Sequence, residues 1–121
     1  MTSQTERAER FLALHHGPEP LLIPNPWDVG SAKLLASLGF PALATTSGGF
    51  AATLGRLDGQ VTRAEALAHC AALTRAVDVP VSADLENGFA DEPGEVAETV
   101  RQAVDSGLAG CSIEDYTRRP A

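Results

Sequence analysis

At 121 residues the chain can make one domain with a real core, since a domain of about 150 residues buries roughly 68–70% of its unfolded surface. Its 16 acidic and 9 basic residues give a formal charge of -7, without the basic footprint of a protein that holds phosphate backbones, so nucleic acid is not an expected partner. Cys70 and Cys111 lie apart without metal-finger spacing, Met1 to Arg10 is polar, and no apolar run nears the ~20 residues that cross a bilayer. A reduced, cytoplasmic protein with no membrane partner is expected.

Thr5 to His16 carries Phe11, Leu12 and Leu14 near one face and stops at Gly17-Pro18, which predicts a leading helix. Leu21 to Pro24 is a short apolar run and a candidate first strand, ended by Pro24-Asn25-Pro26. Asp28 can then cap a helix through Ala32, Leu35 and Leu38, closed by Gly39 and Pro41. Ala42 to Thr46 is a second strand, followed by a loop at Ser47-Gly48-Gly49 and an ambiguous segment through Gly55. Thr62 and Glu65 make a capping box, each side chain satisfying a backbone N–H that the helix leaves free, ahead of an apolar face at Leu67, Cys70, Ala71, Thr74 and Val77.

Pro80 separates that helix from a third strand, residues 81–85. Pro93 suits the first position of a helix that runs through Val96, Val100, Ala103 and Val104 to Gly107. Gly110 to Glu114 is the fourth strand, and Asp115 to Ala121 is polar without assignable structure. Strand and helix alternate four times with short connections, the pattern of right-handed β-α-β units and a parallel sheet. The class is α/β. An open doubly wound sheet and a closed barrel share this local pattern, and since a barrel takes about 250 residues, four units would be half of one.

Asn25, Ser47, Asp84, Glu86 and Glu114 all fall at or just past the C-terminal end of a predicted strand, where parallel α/β enzymes assemble their sites. Asp84 and Glu86 leave one strand two residues apart, hence toward one side, and Glu114 closes the next. Three carboxylates in one pocket need a proton or a cation to neutralise them, and as a metal site an all-oxygen set suits Mg²⁺ rather than Zn²⁺. The alternative is a surface turn at Glu86-Asn87-Gly88 and a helix cap at Glu114-Asp115. Ser47, Gly48 and Gly49 could bring backbone N–H groups to an anion, or form a flexible turn. Asp58-Gly59 is ordinary turn chemistry, and Trp27 could line a pocket, belong to the core or plug a rim. His15, His16 and His69 lie on or beside helices, away from strand ends, and are read as solvated or structural; Cys70 and Cys111 are read as small buried hydrophobes.

Five blocks in order, Asn25-Pro26-Trp27-Asp28, Thr45-Thr46-Ser47-Gly48-Gly49, Leu54-Gly55 with Asp58, Ala83 through Gly88, and Ser112 through Asp115, give a further reading. The chain resembles the isocitrate lyase and phosphoenolpyruvate mutase superfamily from about residue 20 to 115. The resemblance implies a (β/α)₈ TIM-type barrel, of which residues 1–121 would be the N-terminal half with a leading helix and no second domain. It implies a Mg²⁺-dependent carbon–carbon lyase of a small 2-oxo or 2-hydroxy carboxylic acid, with phosphoenolpyruvate mutase or oxaloacetate hydrolase chemistry, or a non-catalytic half-barrel, as the alternatives.

Carried over by motif, Ser47, Gly48 and Gly49 would bind the substrate carboxylate, Asp84 would ligate Mg²⁺, and Asp58, Glu86 and Glu114 would hold its waters. The full-length form would be a homo-oligomer. Two departures stand out. Glu86 replaces the Asp common in the family, one methylene longer, and the chain ends before the family's mobile loop with its catalytic Cys, which Cys111 does not match. No catalytic residue is assigned, and the isolated chain is expected to be inactive.

Overall fold

The computed structural model describes residues 2–117; Met1 and residues 118–121, the last part of the polar stretch after Glu114, lie outside it. The chain opens on α1 (Gln4–Leu14), begun by a capping box between Ser3 and Glu6. α2 (Val29–Ser37) starts where Asp28 accepts from the Ser31 N–H at 2.8 Å, and the Ser31 hydroxyl returns to the Asp28 backbone. α4 (Arg63–Ala76) follows the Thr62 and Glu65 capping box expected from the sequence, and α5 (Pro93–Asp105) has its proline in the first turn. Gly107, at a φ of 88°, turns the chain out of α5.

Between these helices run three short strands, β1 (Leu43–Ala44), β2 (Val81–Asp84) and β3 (Gly110–Ser112). They are parallel and in sequence order β1-β2-β3, with Leu43 opposite Val81 and Ala83 opposite Cys111. On β2 the side chains alternate: Val81 and Ala83 are buried, while Ser82 and Asp84 are half-buried. Leu43, Val81, Ala83 and Leu85 meet Leu67, Cys70 and Leu73 of α4 and Ala103 of α5 in one core. Each fully buried Leu or Val there contributes about 1.5–3 kcal/mol.

The expected first strand, residues 21–24, is not one, which leaves three strands among the described residues instead of four. The reason is proline. The Ala44 N–H donates to the Pro24 carbonyl at 3.1 Å, and a parallel ladder would next send the N–H of residue 26 to the Ala44 carbonyl. Pro26 has no N–H, and the Asn25 side-chain amide donates to that carbonyl instead, at 3.1 Å. The segment therefore follows β1 with a single backbone bond.

α1 lies across the N-terminal ends of the strands. Gln4 donates to the Leu108 carbonyl at 2.9 Å, Phe11 packs on Gly110, and the buried Arg7 donates to the Thr74 carbonyl at 2.7 Å. The opposite, C-terminal ends are left to the loops that carry the acidic residues. No helix among the described residues is long and apolar enough to cross a membrane.

Candidate functional site at the strand ends

Asp84 ends β2, and its backbone N–H donates to the buried Thr45 hydroxyl just past β1, at 3.0 Å. Its carboxylate accepts twice: Oδ2 from the Ser47 N–H and Oδ1 from the Glu86 N–H, each at 3.0 Å. The second bond is an Asx turn, a side chain binding the backbone two residues on. It sets Glu86 in the left-handed region, φ 54°, followed by Gly88 at 86° and Phe89 at 59°. A left-handed residue other than glycine costs about 1–2 kcal/mol and persists only when its surroundings hold it. Here they do: Gly88 N–H donates to the Leu85 carbonyl at 2.8 Å, Phe89 N–H to Asn87 Oδ1 at 3.1 Å, and the wholly buried Thr99 of α5 donates to the Gly88 carbonyl at 2.7 Å. Asp84 and Glu86 do face one cavity, but through this turn, because the strand stops at Asp84.

Ser47, Gly48 and Gly49 are not a loop. They are the first turn of a short helix, α3 (Ser47–Thr53), capped by Thr46, whose hydroxyl accepts from the Gly49 N–H at 3.2 Å. The Ser47 N–H already serves an anion, the Asp84 carboxylate. Gly49 is needed for close approach: a Cβ there would sit 2.5 Å from Trp27 Nε1 and 2.6 Å from Thr46 Cγ2. Trp27, half exposed, thus lies on α3 at the rim of the site.

A cavity of about 10 Å³ lies behind the carboxylates, lined by Thr45, Ser47, Phe50, His69, Asp84 and Glu86 among others. His69 stacks on Phe50 with centroids 3.9 Å apart and an interplanar angle of 11°. Burial pushes its pKa down, opposed by the nearby Asp28 carboxylate. Beside it, burial pushes the Cys70 thiol up to about 12, which makes it inert as a nucleophile at neutral pH. Cys111, by contrast with its expected burial, is exposed, because β3 is the uncovered edge of the sheet.

Of the expected site residues, the structure thus gathers Ser47, Asp84 and Glu86. Gly48 neighbours Asp58, whose Oδ2 would be 3.5 Å from a Cβ at position 48, on an exposed loop. Glu114 is exposed, its backbone N–H donates to the Glu86 carbonyl at 2.7 Å, and the residue borders a separate surface hollow with Asn87 and Asp91. Among the described residues no three His, Cys, Asp or Glu side chains converge closely enough to hold a metal ion. Mg²⁺ does not require such a cage, since it keeps several waters and takes one or two carboxylates. Asp84 fits that role: it is half-buried, and each of its oxygens takes one N–H and has acceptor capacity left.

The family described as phosphoenolpyruvate phosphomutase matches residues 11–121. The chain belongs to this family. A provisional lyase/mutase from Burkholderia cenocepacia J2315 is similar in structure, with a TM-score of 0.94 and 55% identity over 96% of this chain and 42% of its own. A 2-methylisocitrate lyase of Bacillus subtilis is 33% identical over 94% of this chain and 38% of its own. The structure of 2,3-dimethylmalate lyase, a member of the PEP mutase/isocitrate lyase superfamily, is similar with a TM-score of 0.84 and 31% identity over 97% of this chain and 39% of its own. The chain therefore spans about two-fifths of the length of these family members.

His69 is the residue that sequence reasoning set aside and the structure brings to the site. A signal for it exists: it lies three residues after the buried Ala66 and four before the buried Leu73, on the edge of the inner face of α4.

Proposed function

We propose that this chain carries the metal and carboxylate sites of a Mg²⁺-dependent carbon–carbon lyase that acts on a small 2-oxo or 2-hydroxy carboxylic acid. Its consecutive parallel units, each strand packed on its own helix, suit part of a (β/α)₈ barrel, with the site at the barrel's C-terminal face. The observation that carries the reading is the Asp84 carboxylate, fixed at the end of β2 by the Ser47 and Glu86 N–H groups. In this proposal Asp84 ligates Mg²⁺ directly, while Asp58 and Glu86 hold its waters and Glu114 turns in from its surface hollow to join them. Bound there, Mg²⁺ would stabilise the enolate charge left when the carbon–carbon bond between C2 and C3 breaks.

Ser47, Gly48 and Gly49 would bind and orient the substrate carboxylate at the start of α3, close to Asp84. Turnover also needs a positioned proton donor and exclusion of water. Those are assigned to parts of the protein outside these residues, so the 121 residues alone are proposed to be inactive. A turnover assay of the complete gene product tests the reading, against a panel of small 2-oxo and 2-hydroxy diacids together with oxaloacetate and phosphonopyruvate. Mg²⁺-dependent cleavage of a diacid, lost in Asp84→Ala, is the expected result. Activity that survives that substitution, or that ignores chelation, would remove the proposal.

A further inference from the structure

We propose that His69 is a positioning residue for Glu86, joined to its carboxylate by a single water in the cavity between α3, α4 and the end of β2. This rests on the reading of Glu86 as a holder of metal-bound water. His69 Nε2 is buried and has no hydrogen-bond partner, a state that native structures seldom leave unresolved. The cavity that His69 lines is about 10 Å³, at the threshold for one water. Its polar lining from Thr45, Ser47, Asp84 and Glu86 offers the two to four partners a buried water needs.

Neither end of this link is free to wander. The imidazole is held face to face on Phe50, and its helix is fixed by the Thr62 and Glu65 capping box and by the neighbouring Cys70, which is buried in the core. Glu86 is only 4% exposed, with its backbone set by Asp84. Burial also favours the neutral ring, which can donate or accept at Nε2 according to tautomer. Glu86 and His69 line the same cavity, Glu86 from the turn after β2 and His69 from α4.

The test uses the complete gene product and three readouts. His69→Phe keeps an aromatic ring on Phe50 and removes the nitrogen, whereas His69→Gln keeps a polar atom near the same place. In calorimetric titration with MgCl₂ the Phe variant is expected to bind about 10-fold more weakly, within the range for partners that orient metal ligands, and the Gln variant within about 3-fold of wild type. Wild-type affinity in His69→Phe would overturn the link. Asp84→Ala, run alongside, judges the parent reading separately, since Mg²⁺ binding that survives it removes the metal site and leaves the His69 question to the third readout. That readout is the ¹⁵N resonance of His69 Nε2, which is expected to shift in Glu86→Gln; an unmoved resonance overturns the link even if either His69 variant fails to fold.

Discussion

The Trp27 indole lies so close to the backbone of Gly49 that a Cβ at position 49 would stand 2.5 Å from Nε1. Gly49 sits inside α3, where alanine would ordinarily stabilise the helix by about 1 kcal/mol. Overpacking wins here. Gly49→Ala should lower stability by about 1–3 kcal/mol in urea denaturation, because the indole and the Thr46 methyl must both shift. In a Trp27→Ala background the penalty should shrink, and a Gly49→Ala protein as stable as the parent would show that the indole has somewhere else to go.

The capping box at α4 makes a pH-dependent prediction. The Thr62 backbone N–H, then the Arg56 guanidinium and the Thr62 hydroxyl, hold the Glu65 pKa below its ordinary 4.5. A depressed carboxylate contributes stability that is present above the unfolded value and is lost as pH falls through the folded one. Melting temperature should therefore fall as acid is added below about pH 4.5, and Glu65→Gln should remove this site's share of the fall. Thr62→Ala should cost about 1 kcal/mol at pH 7 yet retain most of Glu65's acid sensitivity, because the first of those bonds comes from the backbone.

Much of this architecture was legible because it is written in local chemistry. The Asp28 cap, the Thr62 and Glu65 box and Pro93 each name a helix start by satisfying or removing an orphan N–H, and each helix is where they place it. Two features were not legible because they depend on distant partners. Residues 21–24 look like a strand until the ladder bond that Pro26 cannot make is traced to Ala44. Ser47-Gly48-Gly49 look like a loop, since glycines disfavour helix, but the Thr46 cap and the burial of Ala51 hold the turn together. For the candidate site, position at strand ends put Asp84 and Ser47 at one end of the sheet, where the structure joins them by a hydrogen bond. It overlooked His69, because a helix residue reaches the site only through the packing of α4 on β2.

Thr99 is the far support of the Glu86 turn. Its hydroxyl, with no exposed surface on the residue, donates to the Gly88 carbonyl at 2.7 Å and accepts from Arg63 at 3.3 Å. Thr99→Val keeps the shape and leaves the carbonyl without that donor, so a loss of about 1–3 kcal/mol is expected. The same substitution should raise amide hydrogen exchange at Gly88 and Phe89 more than in the core strands. Uniform exchange changes would show that Thr99 stabilises the fold and not the turn.

Asp84 joins structure and proposed chemistry in one side chain, so its substitutions should separate the two. Asp84→Asn conserves volume but has one acceptor oxygen where the carboxylate has two, so either the Ser47 or the Glu86 N–H loses its bond. Hydrogen bonds to a charged group contribute about 1.5–3 kcal/mol, and the loss should appear in urea denaturation without Mg²⁺ present. Metal affinity should fall further than stability alone would suggest. Removing partners that merely orient metal ligands costs about 10–100-fold, so losing the direct ligand in the complete gene product should exceed roughly 100-fold by calorimetry. Glu86→Gln should keep its backbone bond to Asp84 and weaken Mg²⁺ binding less than Asp84→Asn does. If the two variants bound Mg²⁺ equally well, the assignment of Asp84 as direct ligand and Glu86 as holder of water would have to be exchanged or abandoned.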